Sequence, residues 1–333
     1  MEHGPSLAAA PYHPCCGGST TFRAASLGSI LAVFPLTFGA CNSGAVVESV
    51  GRPGTWSLVA VPTTEGLTIV RGSGSTDVWL VGDTTILRWD GQHWNSLPAP
   101  APSATGLWVN ASSDVWLGAG IKFAYHWTGT TWTSTSLDDN RTAGAIWGSG
   151  ASDVWASDCL VGYLGHYDGS VWTHLNSTDN GIALWGTGTT DVWMIDSFNC
   201  DTLPSVIRHW SGIGGLSGAQ TQFTSPHPLQ AIWGSGAGDI WAVGDSGTIV
   251  HYDGSAWSHA LTSPTRVQLH GIWGTAASDV WAVGEAGVIL HFDGSGWSQS
   301  VSPTTHALRS AWGSSSGDVW AVGDSGTVLH FTR

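Results

Sequence analysis

Apolar residues come in short runs along most of this chain, and polar, glycine-bearing turns separate them at even intervals. Around residue 240 one run, Gln230 to Gly234, ends in Ile-Trp-Gly. Asp239-Ile-Trp-Ala-Val-Gly forms a second and Thr248-Ile-Val-His-Tyr a third. All three are nearly continuous, the pattern of strands covered on both faces. The next segment, Trp257-Ser-His-Ala-Leu, alternates apolar and polar positions, as a half-exposed outer strand does. The pattern therefore predicts four short strands in succession. No periodic apolar stretch of helical length appears after residue 41.

This unit repeats. Its Asp-Val-Trp centre, with Ile for Val once, recurs at Asp77, Asp114, Asp153, Asp191, Asp239, Asp279 and Asp318, at spacings of 37, 39, 38, 48, 40 and 39 residues. Four antiparallel strands in about 40 residues make one propeller blade. The expected fold is all-β, a seven-bladed β-propeller with four antiparallel strands per blade. The ends of the chain show how such a ring closes. The seventh copy stops at Arg333, after its third strand, whereas residues 54–64, GTWSLVAVPTT, match a fourth strand and its exit loop, as in GWSQSVSPTT at 296–305. An N-terminal strand that completes the last blade removes two exposed sheet edges.

Composition narrows the partners. The chain has 22 Trp and 46 Gly, a formal charge of −14 and a single lysine, Lys122. No basic patch can be assembled from this inventory, which excludes nucleic acid as a partner. No Gly-x-Ser-x-Gly elbow, His-Glu-x-x-His or phosphate loop occurs, and no cofactor is expected.

The N-terminus reads as a targeting segment. Arg23 precedes the apolar run SLGSILAVFPLTFGA and then Cys41. A run of about 15 residues is too short to span a bilayer and suits a signal-peptide core. Gly39-Ala40-Cys41 resembles the lipobox of bacterial lipoproteins, which implies cleavage before Cys41 and its lipidation. An ordinary secretory signal is the other reading. The expected division is 1–40 signal peptide, 41–52 lipidated N-terminus and tether, and 53–333 propeller. Such a chain is held to the bacterial envelope by its lipid, at the outer membrane or cell surface. Export leaves Cys159 and Cys200 in an oxidising compartment, in corresponding loops of adjacent blades, where a disulfide is expected.

The repeated IWGSGAGDIWAVGDSGTIVHYDGSAW is similar to repeats in exported proteins of myxobacterial type, grouped with BNR/Asp-box-like propellers, and less closely to lectin-like tectonin repeats. The similarity spans residues 54–333. It departs from a true Asp-box, because Trp257 follows Asp253 by four residues. The resemblance speaks for the fold and leaves activity open, since propellers host many functions.

Repeated residues read as structure first. Each Asp of Asp-Val-Trp follows a Gly/Ser-rich turn and is placed to accept backbone N–H bonds there. His126, His166, His209, His251, His291 and His330, with Arg88 in the first copy, form a ladder. Equivalent second- or third-strand positions in neighbouring blades of seven lie roughly 9–13 Å apart, too far to share a metal. No metal site is expected. A polar contact inside each blade is the simpler role. The first strands carry Trp108, Trp147, Trp185, Trp233, Trp273 and Trp312, and Arg71 in the first copy. These are read as packing, with a second possibility that part of each faces the channel and stacks on sugars. A charge at Arg71 indicates that this position reaches the channel.

Function on a repeat scaffold sits where copies differ. Departures gather in the links between blades and in the loops joining second and third strands, all at one end of blades 2 to 4. They supply Asp138, Asp139, Arg141, Asp158, Asp179, Asp196, Phe198 and Asp201, to which the channel residues Arg71, Trp147 and Trp185 are added as candidate ligand-binding residues. No catalytic residue is assigned. The expected function is that of a monomeric binding platform for a glycan or an envelope protein. The alternative is a BNR-like glycoside hydrolase using paired carboxylates of the same face, such as Asp196/Asp201 or Asp158/Asp201.

Overall fold

The computed structural model of the chain describes residues 54–137, 142–158, 162–175, 180–197, 205–212, 220–259 and 263–333. Among them, 28 strands form seven four-stranded antiparallel sheets. Blade 1 runs from the inside outward as Leu67–Gly74, Asp77–Gly82, Ile86–Trp89 and Trp94–Leu97. Inner strands of consecutive blades touch all the way round, the first against the seventh included, so the ring is closed.

Closure follows the expected route. The last blade holds Leu308–Ser315, Asp318–Gly323 and Thr327–Thr332, and its outer strand is Thr55–Leu58. Trp56 pairs with Phe331 and Ser57 with His330 in an antiparallel register.

Packing between blades rests on aromatics. The second-strand tryptophans are at most 4% exposed. Each is met by a third-strand aromatic and, in six of the seven cases, a fourth-strand tryptophan of the next blade. Trp241 lies 4.9 Å from Phe292 and 5.5 Å, edge-on, from Trp297. Trp281 lies 4.8 Å from Phe331 and 5.4 Å, edge-on, from Trp56. A strand 225 residues earlier in the chain thus makes the same contact as a strand within the repeat. Burying one indole removes about 150–250 Å² from water, a gross gain of about 4–6 kcal/mol at ~25 cal/mol/Å².

The Asp-Val-Trp aspartates correct one expectation: their partners in the structure are side chains, not turn N–H groups. Asp239 accepts from Ser235 Oγ at 2.5 Å and bonds His251 Nε2 at 2.6 Å, and the His251 ring stacks on Trp241 at 3.9 Å. The same set recurs with His126, His166, His209, His291 and His330. Trp79, Trp155 and Trp193 also donate their indole N–H to this aspartate. In blade 1 Arg88 replaces the histidine: its Nε donates to Asp77 at 2.8 Å while its guanidinium lies 5.1 Å from the Trp79 ring. Each carboxylate therefore fixes the ring that covers the buried indole, and the ladder is a set of separate contacts within blades.

A second set of aspartates holds the turns between third and fourth strands. Asp90 accepts the N–H groups of Gln92 and His93, and Asp168, Asp253 and Asp293 accept the N–H groups two and three residues on. These donors, led by the His93 N–H at Asp90, the Val171 N–H at Asp168 and the Ser255 and Ser295 hydroxyls at Asp253 and Asp293, hold all four carboxyls down at about 2. A carboxyl depressed in the folded state adds stability above its unfolded value and loses it as pH falls through the folded value. The thermal midpoint is therefore expected to fall as pH drops from the ordinary value of 3.8 to about 2. Replacing all four by Asn should flatten that part of the profile, measured by scanning calorimetry.

Candidate functional site: the channel and its mouth

Antiparallel order gives the ring two unlike ends. The turns between first and second and between third and fourth strands lie at one, the turn end. The loops between second and third strands and the links between blades lie at the other, the mouth. Inner strands start at the mouth and run down the channel.

Halfway down stand the six first-strand tryptophans and Arg71, all half-buried. Each indole reaches the next blade, where the outer edge of its six-membered ring meets the glycine that follows the ring position there. A Cβ on Gly234 would come within 2.6 Å of Trp185 and 2.7 Å of the Asp239 carbonyl, so only glycine fits. Trp147 meets Gly186, Trp312 meets Gly72, and the remaining pairs repeat this. Blade 2 alone carries another residue, Val109, and it is the blade that follows Arg71 instead of a tryptophan. The ring is thus a cycle of interlocking pairs interrupted once, where Arg71 stands in place of a tryptophan and Val109 in place of the next blade's glycine. Trp147 and Trp185 are packing residues whose remaining surface lines the channel.

Two cavities lie along the channel, a mouth-side one of about 140 Å³ and a turn-side one of about 230 Å³ that the six tryptophans line. Arg71, Leu107, Ile146, Leu184, Ile232 and Ile272 line both. Arg71 Nη1 donates to the Val70 carbonyl at 2.7 Å and to Ser310 Oγ, on blade 7, at 3.1 Å. Burial pushes its pKa down to about 10, and the guanidinium remains charged at neutral pH.

At the mouth, four side chains of blades 6 and 7 form a network. Arg309 donates Nε and Nη2 to the two carboxylate oxygens of Asp324 at 2.9 and 2.8 Å, and Nη1 to Glu285 at 3.0 Å. His270 Nε2 lies 2.8 Å from both Glu285 and Arg309, and it either donates to the former or accepts from the latter. The Asp324 bond raises the Arg309 pKa, the Arg309 bond lowers that of Asp324, and the His270 contact leads the causes that lower Glu285. Sequence reading missed this network. Its only signal is a polar residue three places before the ring position, His270 and Arg309, in strands otherwise apolar.

Two further predicted residues lie at the mouth and face inward. Asp158 is 1% exposed and accepts the Thr142 N–H at 2.9 Å. Asp196 is 9% exposed and accepts the Asn180 N–H at 2.9 Å and Arg208 Nε at 2.7 Å. Both stand where the second strand ends in glycine in blades 1, 5, 6 and 7, such as Gly244, and in Ala119 in blade 2, and both tie an incoming link to its blade. Asp138, Asp139, Arg141, Asp179, Phe198, Asp201, the Cys159/Cys200 pair, Cys41 and the N-terminal segments through residue 52 lie outside the described residues.

No family model matches the chain, and no curated protein does. Solved structures show what it is similar to. YCF48 bound to a D1 peptide aligns with a TM-score of 0.68 at 18% identity, covering 84% of this chain and 95% of that one. The WD40 β-propeller domain of Doa1 gives 0.66 at 12% identity, over 84% and 97%. A catalytically inactive virginiamycin B lyase from Staphylococcus aureus, with quinupristin, gives 0.65 at 12% identity, over 84% and 100%. At these identities the likeness defines a β-propeller and nothing narrower.

The exchange at Arg71 and Val109 makes a direct prediction. Arg71→Trp alone places an indole against valine and should cost about 1–3 kcal/mol by overpacking. Adding Val109→Gly restores the pair used by the other blades and should recover most of that loss. Urea denaturation of both single variants and the double variant should give a coupling of about 1–3 kcal/mol, and strict additivity would refute the compensation between these two positions.

Proposed function

We propose that this chain is an exported lipoprotein whose propeller holds a segment of another envelope protein over the mouth of its channel. One observation carries the reading. Most departures from the repeat gather in the loops and links of the mouth, over blades 2 to 4. Four of the six turns between third and fourth strands at the other end are held by the same Asp pattern, and the long connection from Trp210 to Gln220 is the main exception there. A surface that varies on a uniform scaffold is where a repeat protein recognises its ligand. The propeller of YCF48, similar in fold, is bound to a peptide, which favours a protein segment as the occupant. Glycan stacking draws less support, because the channel indoles are engaged by the next blade's glycine. Acid–base chemistry at the mouth also draws less, because Asp158 and Asp196 hold backbone N–H groups. Asp138, Asp139, Arg141, Asp179, Phe198 and Asp201 are assigned to the contact surface, and Cys159 with Cys200 to a disulfide that pins two of its loops.

Photo-crosslinking residues at Thr105 and Gln230, at the mouth, should capture one defined envelope protein in cells. The same residues at Ser255 and Ser295, at the turn end, should not. Capture from the turn end alone would overturn the assignment. Cys41→Ser should abolish incorporation of labelled palmitate and release the chain from the membrane fraction, and labelling that persists would remove the lipid anchor from the reading.

A further inference from the structure

Arg71 breaks a ring that is otherwise all tryptophan, and it breaks it with a charge. Its Nη1 is used by the Val70 carbonyl and Ser310. Nε and Nη2, which share one edge of the planar guanidinium, have no hydrogen-bond partner among the described residues, and no carboxylate there pairs with Arg71. Among the described arginines that are not exposed, Arg71 alone lacks such a partner, whereas the unpaired Arg266 and Arg333 are exposed. Arg88 is paired with Asp77, Arg208 with Asp196, and Arg309 with Asp324 and Glu285. A cation held in a narrow, largely protein-walled space without a counter-charge is costly, and a chain with formal charge −14 had acids to offer. Arg71 lines the mouth-side cavity of about 140 Å³, where small residues such as Gly106, Ala145, Ala183 and Gly271 leave room beside it. The free Nε–Nη2 edge is a two-donor fork, the geometry that matches the two oxygens of a carboxylate.

We propose that the mouth-side chamber is a binding site for a single carboxylate, held by the Nε–Nη2 edge of Arg71 and entering from the mouth. The inference rests on the mouth reading above only for the direction of entry. Two sources share this chemistry: a small organic acid, and the free C-terminus of a partner segment lying over the mouth. Leu107, Ile146, Leu184, Ile232 and Ile272 around the same level supply apolar walls for the carbon chain behind the carboxylate.

The test is isothermal titration of the purified full-length protein with acetate, succinate, glycylglycine and glycylglycinamide. At least one acid should bind saturably at one site per chain, and glycylglycinamide should not. Preference for acetate or succinate identifies a small-acid site, and preference for glycylglycine a terminus site. Arg71→Gln should weaken the binding acid at least about tenfold, which corresponds to ~1.4 kcal/mol, while the thermal midpoint shows the variant folded. Arg71→Lys keeps the charge but loses the fork, and it should also weaken binding, which serves if the Gln variant does not fold. Absence of saturable binding by every acid, equal binding by glycylglycinamide or chloride, or undiminished binding by both variants would overturn the site. Loss of acid binding with mouth crosslinks retained sinks the carboxylate site alone. Acid binding with crosslinks confined to the turn end sinks the platform and leaves the site standing.

Discussion

Trp281 is buried between two blades, touched by Trp56 and Phe331 from one side and covered by His291 from the other. That arrangement, complete in five blades and varied at Trp79, which Arg88 covers, and at Trp155, which among the described residues meets only Trp210 of the next blade, is the contact on which the ring depends. The blade's own hydrogen bonds satisfy backbone groups within a sheet but say nothing to the next sheet. Sheets are held side by side by the indole of one blade and the aromatics of its neighbour, edge-on at 5.4 to 6.2 Å in most cases. The Asp–His pair makes that indole a fixed object. Without the carboxylate the histidine ring would be free to leave the indole face, and the neighbour's aromatics would pack against a moving surface. Polar groups and hydrophobic burial cooperate here, because the hydrogen bond sets the shape that the apolar contact then uses.

The same contact explains why the chain closes through its N-terminus. Six blades obtain their outer strand from the same repeat. The seventh would leave Trp281 open on one side if the chain simply stopped at Arg333. Trp56 fills that place with the geometry of its counterparts, so closure completes a packing site as well as a sheet edge.

How much of this could be read from the sequence follows from which contacts lie inside a repeat. Strand order, blade number and the role of residues 54–64 were legible, because each repeat is one blade and Trp56 sits in a recognisable copy of a fourth strand. The histidine's polar role was legible too, although not that its aspartate would be bound by Ser235 or its counterparts in place of turn N–H groups. Contacts between repeats were not legible. That Trp185 meets Gly234, or that Arg309 gathers Glu285 from the blade before, depends on the twist that sets neighbouring sheets against each other, and spacing carries no record of it. Asp158 and Asp196 looked like free acids because they stand where four of the other copies have glycine and one has alanine. In the structure that same position points back at the link, and the carboxylate caps it.

Symmetry bears on where a ligand can sit. A ring of seven identical units presents the axis with seven equal groups, and any charged residue in the consensus would appear seven times around a channel this narrow. A single charge on the axis therefore requires one copy to differ, and the difference must be absorbed by its neighbour. Arg71 is that difference and Val109, in the next blade, is the compensating change. Ser310, on the other side, takes one of the guanidinium donors and also accepts the Val70 N–H at 3.3 Å, tying the odd residue to the seam where the first blade meets the last. Loss of an indole's packing at this one position is a cost that the fold alone gives no reason to bear. The substitution turns a closed aromatic ring into an asymmetric channel with one oriented donor pair, and that asymmetry is the feature most specific to this chain.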